Sequence, residues 1–398
     1  MSVLAASTLA PADEAEAGEI VREARARGER LDIVGGGTRA GLGRPAQGTR
    51  RLSSSRLAGV VFHEPAEMTL RAKAGTPLSV VEAALAAHGQ MLPFEPIDHR
   101  ALYGAAGEPT VGGLVAANAS GPRRISVGAA RDSVIGLRLV NGRGEAIKSG
   151  GRVMKNVTGL DLVKLNCGAH GTLGLVTEAT FKLLPKPQAQ ATVVLRRLDD
   201  EAGVAALTRA LGSPYAVSGA AMIGPGMGRE FSRTLLRLEG FSESVDYRVE
   251  RLVALLADLG AEHALRGEDS QRLWRAVRDA EFLAEPRDKA IWRASLAPSK
   301  GPQFVARLGA LALSHFYDWG GGLVWLACEP SEAAAAAVRA ALAPLGGHAT
   351  LIRAPDGLRA RVDVFEPLSP ALARLTRGVK ASFDPDGMFN FGRMVAAM

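Results

Sequence analysis

The groups best placed to do chemistry in this sequence belong to the backbone. Gly35, Gly36, Gly37 and Thr38 follow a short apolar run, Leu31-Asp32-Ile33-Val34, and lead into Arg39, Ala40 and Gly41. With no Cβ in the way, successive N–H groups of such a loop can form a nest that holds an anion such as a pyrophosphate. A second run of small residues, Thr110-Val111-Gly112-Gly113, continues through Asn118, Ser120 and Gly121. A third is Gly168-Ala169-His170-Gly171-Thr172-Leu173-Gly174. Each lets a flat or charged molecule approach the main chain closely.

Two familiar phosphate motifs fail on the first loop. Gly35-x-Gly37-x-x-Ala40 has the spacing of a Rossmann fingerprint, but Gly41, Gly43 and Pro45 cannot open a helix, and no acid follows at the required distance. A Walker loop would end in Gly-Lys-Ser/Thr, which is absent. What remains is a backbone nest without a long helix behind it, or a plain surface turn. We read the stretch from Glu108 to Lys182 as the inner wall of a flavin dinucleotide site, with the first loop as its phosphate end.

Side-chain chemistry is sparse. The seven histidines, His63, His88, His99, His170, His263, His315 and His348, form no HxH or HExxH pair, so no metal site is expected. No GxSxG elbow is present, and Cys167 and Cys328 read as structural. Two cysteines build no disulfide framework or iron–sulfur cluster and suit a reducing, cytoplasmic setting. The net charge of +7 comes from scattered arginines, and aromatics are only 5%, too few to stack bases, so nucleic acid is set aside. Acidic residues follow the apolar start at once, making a poor signal peptide, and no window is long enough for a membrane span.

The elements around these segments follow from periodicity. Apolar Ile20, Val21 and Ala24 predict a helix over 12–28, and 31–34 a strand. A strand over 68–74 leads to a helix capped at Thr76 and Pro77 and stopped by Gly89. Leu92-Pro93-Phe94-Glu95-Pro96 is a stiff segment of a kind that often carries a ligand contact. Val134 to Val140, an Asn141-Gly142 turn and Glu145 to Lys148 read as a hairpin, and 175–184 as another strand. Pro185 and Pro187 mark a boundary, after which strands and helices alternate. Ser270 to Glu329 reads as a helix-rich unit whose four tryptophans belong to the core. The turn-rich but apolar stretch 383–394 reads as docked.

In this order, the segments resemble the vanillyl-alcohol-oxidase type of FAD-binding domain over most of residues 20–190. Gln90 to Pro96, Ser120-Gly121-Pro122-Arg123-Arg124, Val153 to Gly159 and Phe383 to Met394 are further similar to the E subunits of bacterial glycolate oxidases. The resemblance implies an α+β chain: a two-subdomain FAD-binding domain over 1–187, an α+β cap over 188–370, and a C-terminal helix and tail over 371–398 packing back on the FAD domain. It implies that Gly35, Gly36, Gly37 and Thr38 bind the pyrophosphate, with Arg39, Ala40 and Gly41 closing the loop. Pro93, Thr110, Val111, Gly112, Gly113, Asn118, Ser120, Gly121 and Gly128 would line the ribityl and flavin portion, and Gly174 and Val176 the adenosine side. Ala169 and His170 depart from the family's third segment, so His170 is expected to be packed or solvent-facing. No histidine follows the first glycines, which implies FAD held without a covalent bond.

The implied reaction is oxidation of glycolate to glyoxylate by a complex with a D-type flavin subunit and an F-type iron–sulfur subunit, through which the chain could reach a membrane surface. Oxidising a small 2-hydroxy acid needs a cationic clamp, a base or metal, and the flavin. Arg293 and Asn390 are the only candidates for the flavin's substrate face, although Arg293 reads rather as a strand residue paired at a domain interface; Lys155 and Asp161 read equally as polar contacts of the fold and as chemical groups. Three readings stay open: a subunit whose substrate chemistry lies mainly on its partner, a self-sufficient 2-hydroxy-acid dehydrogenase, and a structural subunit that no longer uses flavin.

Overall fold

The computed structural model describes residues 8–152, 159–227, 230–261 and 263–396. Lys155 and most of the Val153 to Gly159 motif therefore lie outside the described residues.

The first strands are β1 (Thr8–Leu9), β2 (Leu31–Val34) and β3 (Arg50–Ser53), which pair in parallel in the order β1-β3-β2. Helix α1 (Glu14–Ala26) connects β1 to β2. The Asp13 carboxylate caps it by accepting from the Glu16 amide, and Ala17, Val21 and Ala24 form its buried stripe. Next come β4 (Val60–Glu64), β5 (Thr69–Lys73), β6 (Gln90–Met91), β7 (Val134–Val140), β8 (Ala146–Gly150), β9 (Leu175–Lys182) and β10 (Leu184–Pro185). Five of them make an antiparallel sheet, β4-β5-β9-β7-β8, while β6 pairs with β10. Packed on the five-stranded sheet are α2 (Leu78–Ala86), burying Leu78, Val81 and Leu85, and α3 (Val111–Ala117).

The β7–β8 turn differs from a two-residue Asn-Gly type. Asn141 organises it through its side-chain oxygen, which accepts from the Arg143 and Glu145 amides, and Gly144 rather than Gly142 takes the left-handed conformation. Gly142 instead donates its N–H to the Phe383 carbonyl, so the tail docks on the turn.

The second half forms one antiparallel sheet of eight strands: β11 (Ala189–Arg196), β12 (Gly219–Ile223), β13 (Arg233–Gly240), β14 (His263–Arg266), β15 (Ala290–Ser295), β16 (Ser314–Asp318), β17 (Leu323–Cys328) and β18 (His348–Arg353). Their order is β14-β11-β13-β12-β16-β17-β15-β18. The span from Ser270 to Glu329 is thus not a helix-rich unit: it supplies β15, β16 and β17 to the interior of this sheet, with β18 outside them as the edge. The runs are apolar on both faces because both faces are covered, which hides the period of two. On one side lie the helices α4 (Asp200–Leu211), α5 (Ser242–Leu255) and α7 (Glu332–Leu342), packed on Trp292, Val324 and Leu326. α6 (Gly267–Arg278) lies elsewhere, its Trp274 packing with the opposite face.

That opposite face belongs to the cluster that also holds Phe94, Leu114 and Phe181 of the first half; Ile291, Phe316 and Trp325 come from the sheet. Each such side chain, fully buried, contributes about 1.5–3 kcal/mol. Between the halves runs a buried ion network. Arg237 of β13 donates to both Glu95 oxygens at 2.7 and 2.8 Å, and Arg123 pairs with Glu239 at 2.7 Å. Burial raises the Glu95 pKa, but Arg237 and Arg123 more than offset this and hold it down at about 2. The proline-stiffened segment therefore carries an ion-pair hub.

Helix α8 (Pro370–Phe383) brings the chain back to its beginning. Leu31 donates to the Met388 carbonyl at 2.8 Å, and Asn390 donates to the Leu31 carbonyl at 3.0 Å. Lys380, buried, reaches the Thr172 carbonyl and the Asp384 carboxylate at 2.6 Å each, and Asp384 also accepts from the Met388 and Phe389 amides. Asp384→Ala strips Lys380 of its counter-charge and two buried amides of their acceptor. We expect a loss of about 3 kcal/mol, read as a lower urea midpoint. An unchanged midpoint would mean that the tail does not hold.

Candidate functional site: three glycine segments and a cationic seam

The chain turns sharply after β2, and the packing there requires glycine. A Cβ on Gly36 would fall inside the Glu108 carbonyl, and one on Gly35 would fall on the Thr110 hydroxyl. Gly37 takes φ +76° and faces open space. Among the described residues, no bond is donated by the amides of Gly36, Gly37, Thr38 and Arg39, whereas the Gly37 and Arg39 carbonyls accept from the Ala40 and Leu42 amides and the Arg39 carbonyl also from the Arg393 guanidinium. A row of free N–H groups beside backbone packed this closely suits an anion.

Thr110 caps α3 with its hydroxyl on the Gly113 amide, so the second segment begins as a short helix whose N-terminus abuts the loop. Val111 is buried under it, and Gly112 lies against Ala74. Asn118 ends the helix in the left-handed region at φ 47°. Its side-chain oxygen accepts from the Arg131 amide at 3.0 Å, and Ser120 accepts from the Ala130 amide at 2.8 Å. Gly121 donates to the Phe94 carbonyl, the Pro93 carbonyl accepts from Arg123, and Gly128 turns the chain at φ +83°.

The third segment folds onto the second: Gly168 and His170 donate to the Val115 and Ala116 carbonyls at 3.0 and 2.9 Å. Gly174 fits under the Val140 carbonyl, and Val176 of β9 pairs with Leu139 of β7. A cavity of about 530 Å³ borders the segment, lined in part by Gly168, Ala169, Thr172 and Phe365. Its size lies within the range of roughly 300–1,000 Å³ usual for ligand pockets.

Side chains of the first loop and others that motif reading does not reach, among them His99, Tyr103, Phe365 and Arg393, complete the site. Arg39 turns inward, donating from Nε to His99 Nδ1 at 3.1 Å and from Nη2 to the Ile97 carbonyl at 2.7 Å. Burial lowers its pKa to about 10. Burial, with Arg39 and Arg293 nearby, pushes His99 well below the usual imidazole range, so His99 is neutral and carries its proton on Nε2. Ala40 gives its carbonyl to Arg393, and Gly41 packs on the Tyr103 ring. His170 lies against Phe365, and burial first, then Arg393 and Arg39, lower its pKa to about 3.

Asn390 is a clamp: its oxygen accepts from the Ile33 amide and its nitrogen donates to the His170 carbonyl, both at 2.7 Å. Arg293 projects from the sheet face turned toward the first half, over Trp319 at 4.9 Å and Trp325 at 5.7 Å, with a buried Nε that has no partner. Asp161 caps a short helix and pairs with Lys164, while burial raises Cys167 to about 12 and Cys328 to about 11, leaving both as inert thiols. Among the described residues, no three of His, Cys, Asp and Glu converge as a metal site would need.

Residues 5–150 match the family described as FAD binding domain. Over 370 residues the chain is 36% identical to the glycolate oxidase subunit GlcE of Escherichia coli (strain K12), covering 92% of this chain and 93% of that one. The chain belongs to the GlcE family of FAD-binding subunits. The glycolate oxidase subunit GlcD of Bacillus subtilis (strain 168) is 46% identical over 85 residues, 21% of this chain and 18% of its own. An alkyldihydroxyacetonephosphate synthase structure superposes with a TM-score of 0.69 over 96% of this chain and 76% of its own, at 15% identity. That likeness shows the fold, the vanillyl-alcohol-oxidase type, with an α+β cap on an FAD-binding domain. The chain is an FAD-linked oxidoreductase of the GlcE type, and FAD is its cofactor. Among the described residues, no helix is long and apolar enough to cross a membrane.

Proposed function

We propose that the chain is the FAD-carrying subunit of a glycolate oxidase complex that converts glycolate to glyoxylate, with the principal substrate chemistry on a D-type flavin subunit and electrons leaving through an F-type iron–sulfur subunit. The observation carrying this reading is the end-to-end likeness to a glycolate oxidase subunit, coupled with three glycine segments gathered into one site where, among the described residues, no cluster of metal-ligand side chains converges. Gly36, Gly37, Thr38 and Arg39 would hold the pyrophosphate with their free amides. Thr110 to Gly113 and Asn118 to Gly121 would line the flavin, and Gly174 with Val176 the adenosine. A bound flavin supplies a two-electron acceptor. The chain's own part is to fix it between domains and exclude water, non-covalently because the first loop carries no histidine.

The test is to purify the chain alone and with its partners, record the flavin spectrum, and add glycolate without oxygen. The expected result is bound, extractable FAD in the chain alone and rapid bleaching only in the complex. A purified chain without flavin absorbance would sink the reading. Bleaching of the isolated chain at saturating glycolate would favour the second reading, a self-sufficient 2-hydroxy-acid dehydrogenase. Arg293, whose buried Nε has no hydrogen-bond partner and which forms no ion pair among the described residues, is the observation that supports that second reading.

A further inference from the structure

Two guanidiniums share one tryptophan ring at the seam between the halves, and among the described residues neither forms an ion pair with a carboxylate. Arg124, three residues beyond Gly121, lies over the Trp319 ring at 4.4 Å, and Arg293 lies over the same ring at 4.9 Å. Every ion pair formed among the described residues omits both, and Arg293 Nε is buried with no acceptor. Each is pushed below the usual arginine range by burial first, then Arg124 by Arg131 and Arg293, at about 10, by Arg124. One acid acts on each from nearby without forming an ion pair, Asp132 on Arg124 and Asp318 on Arg293. Both are engaged: Asp132 accepts from the Ala129 amide, and Asp318 accepts from the Trp319 amide while burial holds its carboxyl up at about 7. Like charges brought together and left unpaired are destabilising, so a fold keeps them where an anion completes the set.

The surroundings are built to hold this geometry. Trp319 sits in the left-handed region at φ 53°, a conformation that costs a bulky residue, and its indole N–H donates to the Gly121 carbonyl at 3.1 Å across the seam. Arg293 faces Trp325 directly in the β15–β17 register, which fixes its stem. The ring is thus a spacer that sets two guanidiniums beside the second glycine segment.

We infer that Arg124 and Arg293, spaced by Trp319, form a binding site for a small monocarboxylate on this chain itself. Choosing a 2-hydroxy or 2-oxo acid among small carboxylates rests on the functional reading above; the anion site does not. Planar guanidiniums match a carboxylate better than a point anion, because two parallel N–H groups can meet both oxygens.

The test uses the FAD-loaded full chain without partners, titrated with glyoxylate and with oxalate under anaerobic conditions, following the flavin spectrum and tryptophan fluorescence. Saturable perturbation is expected, weakened at least about tenfold in Arg293→Met and in Arg124→Met, with flavin content unchanged. Because Arg293→Met removes an unpaired buried charge, its melting temperature should hold or rise; a purely structural arginine would give a fall. Arg293→Lys keeps the charge without the fork and should recover only part of the affinity.

Titrations identical in wild type and both methionine variants would overturn the inference, as would absence of any perturbation. Equal competition by chloride would reduce the site to a general anion patch and overturn the carboxylate class. Loss of FAD in the methionine variants would assign the guanidiniums to the cofactor, again overturning it. Failure of the assembled complex to oxidise glycolate, with glyoxylate still binding here, would sink the functional reading alone.

Discussion

Gly36→Val should leave a folded chain that no longer retains FAD. The added carbons have nowhere to go, because the Glu108 carbonyl occupies the place of the first of them and Gly107 packs on the Gly36 carbonyl from the other side. The loop must move off the Glu108 strand of chain, and the free amides of Gly36 to Arg39 then no longer converge. A loss of at least about a hundredfold in affinity is expected, about 3 kcal/mol at ~1.4 kcal/mol per decade. Flavin-to-protein absorbance after gel filtration reads the effect, with circular dichroism confirming the fold. Gly37→Ala is the contrast: space is open there, so only the left-handed φ is penalised, at about 1 kcal/mol. If both variants kept wild-type flavin content, the pyrophosphate would have to be held elsewhere.

The second large effect concerns the seam. Glu95→Gln leaves two enclosed guanidiniums, Arg237 and Arg123, sharing the single carboxylate of Glu239, and this excess buried charge should cost about 3–5 kcal/mol in denaturant unfolding. Glu95→Met combined with Arg237→Met should recover most of that, since the expense lies in the excess charge. Acid acts on the same group. The folded pKa of Glu95, about 2, lies below its ordinary value of 4.5. Its contribution is therefore complete above pH 4.5 and is lost as pH falls toward 2. Wild type should show a stability slope across that window that Glu95→Gln lacks. Parallel slopes would mean that another carboxylate governs acid unfolding.

The sequence made the glycine segments readable because glycine reports backbone constraint directly. Gly36 and Gly35 mark a close approach, and the absence of a helix-opening residue after Gly41 told the loop from a Rossmann turn. The strand–turn–strand at 134–150 was also legible, although Asn141, acting through its side chain, and Gly144 share the turning that Asn141-Gly142 suggested. The sheet strands within 290–328 were not. Ile291-Trp292-Arg293-Ala294 and Leu323 to Cys328 are covered on both faces, so alternation vanishes and four tryptophans read only as bulk. Three of them are core, whereas Trp319 spaces a pair of arginines. Glu95 shows a related gap: a carboxylate between two prolines looks like a ligand contact, and only a partner 142 positions away makes it an ion-pair hub. Pairings over such distances leave no local trace in composition or period.

The clamp formed by Asn390 sets an order of events during synthesis. The Ile33 amide waits for an acceptor 357 positions later, and the His170 carbonyl for a donor on the same side chain. At roughly 5–20 residues per second, the ribosome takes tens of seconds to supply it. Over that interval the glycine loop exists with its strand unlatched, and the eight-stranded sheet is made before the latch arrives. Cofactor loading is therefore expected late, after the cap has been made: flavin starvation should yield an intact, colourless chain that takes up FAD afterwards, and FAD retained by a chain ending before Asn390 would refute that order.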